Sequence, residues 1–549
     1  MGKYYKFIVP LAYLAVSLFL KTFSMDFPLN DDWAYSIAVR HLMEDGRIIL
    51  SDWAPATQIT HVLFGGLFAG LFGFHFGILR LSTILLFTCL LFVFQMILQE
   101  MDAKPKHSIA IAAVLAFNPL CFLLSHSFMN DIPYLFWMTV SAYFYVKYLR
   151  TENEKFIYLA SLFSAFAYLT RQLGMALPPA FTLSLLLQKK MSFRNLLRIW
   201  LIPALAFLGH WLWFKYVHGP TWIVESYLMA KTAKHLLSPA GFLVSGMQRF
   251  ADSLIETGFF LFPAALGFIP YIKELYGKNE FKARVSRFSM IVFLVLTAVY
   301  VFSKGYLPYL ENNFTRHGLG VITVGASDLK NSGIFSRTWF WFIATGLGAL
   351  CGSIFLSTTL FTIRARDKAI NFLLYCALFH FMLSIAGARF FDRYIITFFI
   401  WFLASTAFLA RRLNYSTALA LAGLALSAGL ALAGTKDYFA WNSVKWKISG
   451  MGAERGINRE EVSAGFDYNA WFHYEKNMKL LKSIKPLKMI SEWEWQKPEL
   501  LKTKAFVSFR PVPAINKQGT APEQETIASI EYKTPLSKKP GTLYLIKYH

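Results

Sequence analysis

Four short stretches of this chain gather residues that could do chemistry. The first reads Met25-Asp-Phe-Pro-Leu-Asn-Asp-Asp-Trp-Ala-Tyr-Ser-Ile-Ala-Val-Arg-His-Leu-Met-Glu-Asp-Gly46 and sets Asp31 beside Asp32. Two adjacent carboxylates can supply a general base or hold a cation. At a helix start they can equally do no more than cap it, since acids are favoured there. The second, Ser125-His-Ser-Phe-Met-Asn-Asp131-Ile-Pro133, offers one more carboxylate, again with capping as the plain alternative. The third is Thr170-Arg171-Gln172-Leu-Gly174 and the fourth Arg389-Phe-Phe-Asp392-Arg393-Tyr394. A guanidinium fork suits a phosphate, whereas a surface ion pair of Asp392 and Arg393 would contribute little.

The elements that must position these residues are membrane helices. Of 549 residues, 56% are hydrophobic and only 16% charged, with a mean hydropathy of +0.42. A soluble enzyme carries roughly 25% charge, so this composition excludes a cytosolic enzyme, and it excludes a disordered chain as well. The net charge of +23 is spread between apolar runs; it reports topology rather than nucleic-acid binding. Cys89, Cys121, Cys351 and Cys376 all fall inside apolar runs and provide neither a disulfide framework nor a metal knuckle.

Apolar runs of adequate length predict about thirteen transmembrane helices. They start with 7–23, continue through 79–98, 108–124, 132–149, 156–169, 175–187, 200–214, 255–272, 288–302, 338–361, 370–388 and 394–409, and end with 417–434. The Gly-broken run 61–77 reads as an interfacial helix, as does the stretch from Asn30 to about Asp45. With that parity Lys104, Lys106, Arg150, Lys155, Lys189, Lys190, Arg194, Arg198, Arg411 and Arg412 fall in cytoplasmic loops, as the positive-inside rule requires. The N-terminus is then cytoplasmic, and the four polar stretches share the outer face with the C-terminus. Residues 1–434 form the membrane domain, and 435–549 a small outer α/β domain. In the latter, Asn458 with Glu461 signals a helix start, and 505–510, 526–532 and 542–547 alternate as strands.

Two carboxylate sites and two arginine sites at the outer ends of spans point to a phosphate-bearing substrate met at the membrane surface. Their order resembles the C-type glycosyltransferases that use polyprenyl-phosphate sugars. The nearest branch holds the protein O-mannosyltransferases and the lipid A aminoarabinose transferases. Asp31-Asp32-Trp-Ala-Tyr35-Ser36 is similar to that family's acidic pair in the first outer loop, with Asp32 where Glu is usual. Asn130-Asp131-Ile-Pro133, Thr170-Arg171-Gln-Leu-Gly174 and Arg393-Tyr394 resemble its later motifs, with Arg171 in place of a Lys. The family's Pro-Pro-Leu segment is replaced here by Gln58-Ile-Thr-His61-Val-Leu, which puts the acceptor in question.

The resemblance implies a polyprenyl-phosphate sugar donor, undecaprenyl phosphate being the carrier in a bacterial inner membrane. It implies a lipid, glycan or protein acceptor, and transfer with inversion. Asp31 and Asp131 are the expected catalytic residues, and Asp32, Tyr35, Arg171, Arg393 and Tyr394 the expected substrate contacts. The sequence does not decide a cofactor: a divalent cation, shared by Asp32 and Asp131, stays open. The rival readings are a transporter or flippase of a lipid-linked sugar, with His210 and His380 as its mid-span polar groups, and a lipid-linked glycan polymerase or ligase. Asn313-Phe-Thr315 is a glycosylation sequon by pattern.

Overall fold

Proline and polar side chains decide where the apolar runs break. The run expected as one span over 108–124 is two helices, Pro105–Ala116 and Pro119–Ser125, bent by 64°. The Asn118 side chain accepts from the Leu120 and Cys121 N–H groups at 3.0 and 3.1 Å, and Pro119 has no N–H with which to continue the first helix. The run expected over 255–272 likewise breaks, at Leu261, between Pro239–Phe260 and Phe262–Leu266.

The computed structural model describes residues 3–54, 57–228, 237–278, 280–304, 309–325, 333–363, 367–387, 390–512 and 524–548. It is a polytopic helical membrane protein. Among the described residues seven helices are long and apolar enough to span, or eight counting the bent pair; the expected thirteen are not reached by this measure. Much of the difference lies in Tyr4–Leu20, Lys155–Thr170 and Gln172–Leu187, which are apolar but shorter. Pro239–Phe260 also carries Arg249, Asp252 and Glu256. The Gly-broken run forms the 14-residue helix Ile59–Phe72.

Lys155–Thr170 packs along Asp131–Thr151, which in turn packs on Phe76–Glu100. Leu201, Leu205 and Leu208, and on another helix Val295, Leu296 and Val299, are exposed apolar side chains, as lipid-facing positions should be. Pro239–Phe260 crosses Thr338–Ile363 so closely that a Cβ on Gly258 would lie 2.1 Å from the Gly348 carbonyl oxygen.

The helix Thr417–Gly450 runs unbroken past residue 434 and carries the last domain on its end. There a four-stranded sheet has the order Val462–Ser463, Ala505–Ser508, Gly541–Tyr548, Gln524–Tyr532, with the first pair parallel and the others antiparallel. The Asn458–Glu461 capping box is present but opens only the short turn Arg459–Glu461. The helix Phe466–Ile484 starts after Gly465, where φ is +94° and a Cβ would lie 2.3 Å from the Thr323 carbonyl oxygen, which excludes a side chain. Lys445 and Asp467, both fully buried and 2.6 Å apart, tie this helix to the long one.

Candidate functional site

The acidic pair is split by the start of the helix Asp32–Asp45. Asp31 occupies the N-cap position, yet its side chain makes no capping hydrogen bond. Its Oδ1 instead accepts from the Trp53 indole N–H at 2.9 Å, and its Oδ2 lies 3.5 Å from Arg393 Nη2. Asp32 points the other way, into protein. Its oxygens accept the backbone N–H of Leu29 and, at 3.2 Å, that of Phe128. Burial pushes the Asp32 carboxyl up to about 7, against the pull of Arg80 and the two amides.

Asp131 stands in the first turn of Asp131–Thr151 with a side chain 1% exposed. Its Oδ1 is held by Arg171, and its Oδ2 lies 4.0 Å from Arg393 Nη1 without a hydrogen-bond partner. Arg393 Nε and Nη1 are also buried and without a hydrogen-bond partner among the described residues. The Arg171 guanidinium stacks over the Tyr394 ring at 4.7 Å. Tyr35, one turn beyond Asp31, is buried, with its ring 5.9 Å from that of His61. Burial, then the nearby Asp31 charge, raises its phenol pKa.

Five of the expected residues therefore form one linked cluster: Asp31, Arg393, Asp131, Arg171 and Tyr394, with Tyr35 beside it. Asp32 is adjacent in sequence but faces Leu29 and Phe128. Asp32 and Asp131 do not fit a shared cation, because the first is occupied by two amides and the second by Arg171. Among the described residues no three His, Cys, Asp or Glu side chains group closely enough to hold a metal. Asp392 does not pair with Arg393 at the surface. It is buried and accepts from the Asn313 and Phe314 N–H groups, each at 2.7 Å. The sequon residue Asn313 is accordingly buried. Arg389 lies outside the described residues. His210 and His380 are engaged by Tyr168 at 3.2 Å and by the Cys376 carbonyl at 2.7 Å.

Sequence reading missed four residues at or near this cluster. Trp53 holds Asp31. Arg80, fully buried, donates to the Thr22, Met25 and Phe27 carbonyls at 2.6, 3.0 and 2.9 Å and so shapes the segment leading to Asp31. Gln58 has a left-handed φ of 58° and a buried amide without a partner, and its N–H donates to the Thr170 carbonyl at 3.3 Å. His61 meets the Phe128 carbonyl at 3.1 Å. A lone Arg inside an apolar run was the available signal for Arg80. The altered Pro-Pro-Leu segment was the signal for Gln58 and His61.

Residues 72–217 match the family of dolichyl-phosphate-mannose-protein mannosyltransferases. No curated protein matches the chain. Two crystal structures of ArnT from Cupriavidus metallidurans match it with 97% of each chain covered. The one bound to undecaprenyl phosphate has 12% identity and a TM-score of 0.40, and the apo form 13% and 0.39. At such identities and TM-scores, no residue role passes from those structures to this chain. Residues 72–217 hold Asp131, Arg171 and Arg80, and over that stretch the chain resembles the mannosyltransferase family, as the order of its motifs implied.

Proposed function

We propose that the protein is a membrane glycosyltransferase that moves a sugar from a polyprenyl-phosphate donor to an acceptor hydroxyl, with inversion. Asp31 takes the hydroxyl proton while the oxygen attacks the anomeric carbon. The bond from that carbon to the lipid phosphate breaks, and the phosphate leaves with the electron pair. Arg393, with Arg171 behind it, meets the charge that develops on the departing phosphate. Asp131 holds Arg171, Tyr394 stacks on Arg171, and Tyr35 stands beside the cluster. Asp32 acts as a brace between the first outer loop and the Phe128 backbone. General-base help of this kind contributes on the order of 10²–10⁴-fold.

The observation that carries this reading is the divided pair: Asp31 sits at the N-cap without making the capping bond and faces an arginine whose Nε and Nη1 have no hydrogen-bond partner among the described residues. The mannosyltransferase match over 72–217 supports the donor class. The site and the domain 435–549 belong on the outer face, with the N-terminus cytoplasmic and residues 1–434 as the catalytic membrane domain. The bacterial inner membrane is the setting, and a lipid, glycan or protein the acceptor.

The test is release of labelled sugar from a panel of polyprenyl-phosphate sugars by purified protein with an envelope acceptor fraction. Asp31→Asn should lose transfer by about 10²-fold or more while inserting and folding normally. Turnover near wild type in that variant would refute the assignment.

A further inference from the structure

Trp53 links the C-terminal domain to the candidate base. Trp53 lies in the loop after the helix Asp32–Asp45, and its indole N–H is the hydrogen-bond donor to Asp31. Its ring sits in an aromatic cage built largely by the other domain. Phe466 lies at 5.3 Å, Trp493 at 5.5 Å and Tyr474 at 6.1 Å, while Trp222 stacks parallel at 6.1 Å. Trp33, two residues beyond Asp31, packs on Tyr474 at 4.8 Å in the same cluster. The Trp222 indole in turn donates to the Ile490 carbonyl at 2.9 Å. Lys482 of this domain pairs with Asp52, the neighbour of Trp53, at 2.5 Å.

An interfacial tryptophan needs no such cage. An indole whose ring is clamped by a separate domain, and whose N–H is spent on a carboxylate, fixes that carboxylate's rotamer. We infer that residues 466–495 are a working part of the active centre, with Trp53 as the positioning residue through which they orient Asp31. This rests on the assignment of Asp31 as the base. The other titratable or charged groups near Asp31 are Arg393, Asp131, Arg171, Tyr35 and Tyr438.

The experiment compares wild type, Trp53→Phe, Trp493→Leu and the double variant, as full chains in the donor-release assay. Trp53→Phe keeps the ring and removes only the N–H. Its kcat should fall about 10-fold, the effect of one hydrogen bond to a charged group, with the donor KM within about twofold. Trp493→Leu, half-exposed and safer for folding, should lower kcat in the same direction by less, again with little change in donor KM. The double variant should be no worse than Trp53→Phe, since both act along one path. An undiminished kcat in Trp53→Phe, or a loss that falls on the donor KM instead, would overturn the inference. So would a Trp493→Leu effect that persists at full size in the Trp53→Phe background. If Asp31→Asn is inactive while Trp53→Phe is normal, only this inference falls; if Asp31→Asn is active, the assignment of the base falls with it.

Discussion

The two arginines of the site carry equal charge but unequal commitments, and this predicts opposite consequences for one conservative change. Arg171 is bound to Asp131 Oδ1 and stacked on Tyr394. Arg393 lies 3.5 Å from Asp31 and 4.0 Å from Asp131, with Nε and Nη1 buried and without a hydrogen-bond partner among the described residues. Those are the spare donors that a phosphate would engage. Arg393→Lys keeps the charge and loses the fork. The loss is one or two charge-assisted hydrogen bonds, about 1.5–3 kcal/mol, so the donor KM should rise about 10- to 100-fold. Arg171→Lys loses the stack on Tyr394 and its geometry toward Asp131. It should cost about 1–2 kcal/mol of stability while leaving the donor KM within about threefold. Donor saturation curves in detergent and thermal midpoints of both variants read the two effects separately. A larger change of donor KM in Arg171→Lys than in Arg393→Lys would refute the division of roles.

Two further outcomes follow from the way the C-terminal domain is held. Lys445→Met or Asp467→Leu alone strands a fully buried charge and should destabilise by about 3–5 kcal/mol, while the double variant should return close to wild type; denaturation of all four proteins checks the cycle. His41 lies between Glu475 at 2.7 Å and Asp45 at 3.0 Å. Burial alone would lower its pKa, but the hydrogen bonds to Glu475 and Asp45 leave it raised. The docking it contributes is thus fully present below the ordinary histidine value near 6.5 and is lost as pH rises through the raised one. Hydrogen exchange in the helix Phe466–Ile484, corrected for intrinsic rates, should quicken between pH 6 and 8.5, and His41→Gln should flatten that dependence.

Much of this molecule could be read from residue types. Apolar runs and basic loops identify a membrane body, and the strands at Ala505–Ser508, Gln524–Tyr532 and Gly541–Tyr548 lie where alternation places them. The cluster of Asp31, Asp131, Arg171, Arg393 and Tyr394 was legible because charge at the ends of spans is rare and costly. The breaks at Asn118-Pro119 and at Leu261 were not, because hydropathy counts length and is blind to a side chain that caps against the run. Trp53 was hidden for a related reason. Tryptophans are expected at every membrane edge, so type alone cannot separate an anchoring ring from one whose N–H is aimed at a carboxylate. That distinction appears only once Phe466 and Trp493, more than 400 positions away, close around it.

The acidic pair shows why adjacency in sequence does not imply a shared task. Successive residues of a helix point about 100° apart, so at its first turn one carboxylate can face the body while its neighbour faces outward. Asp32 takes the buried direction, where two backbone amides and Arg80 partly offset the loss of water. A carboxylate that capped the helix would have its proton affinity set by the amides it accepts from. Asp31 sits in the cap position without that bond, so Trp53 on one oxygen and Arg393 near the other are left to hold it. In the proposed reaction both can respond to what enters: Arg393 to a phosphate, and Trp53 to the seating of the C-terminal domain. A base positioned by partners of that kind is aligned when substrate and domain are both in place, whereas a capped carboxylate is committed to its helix.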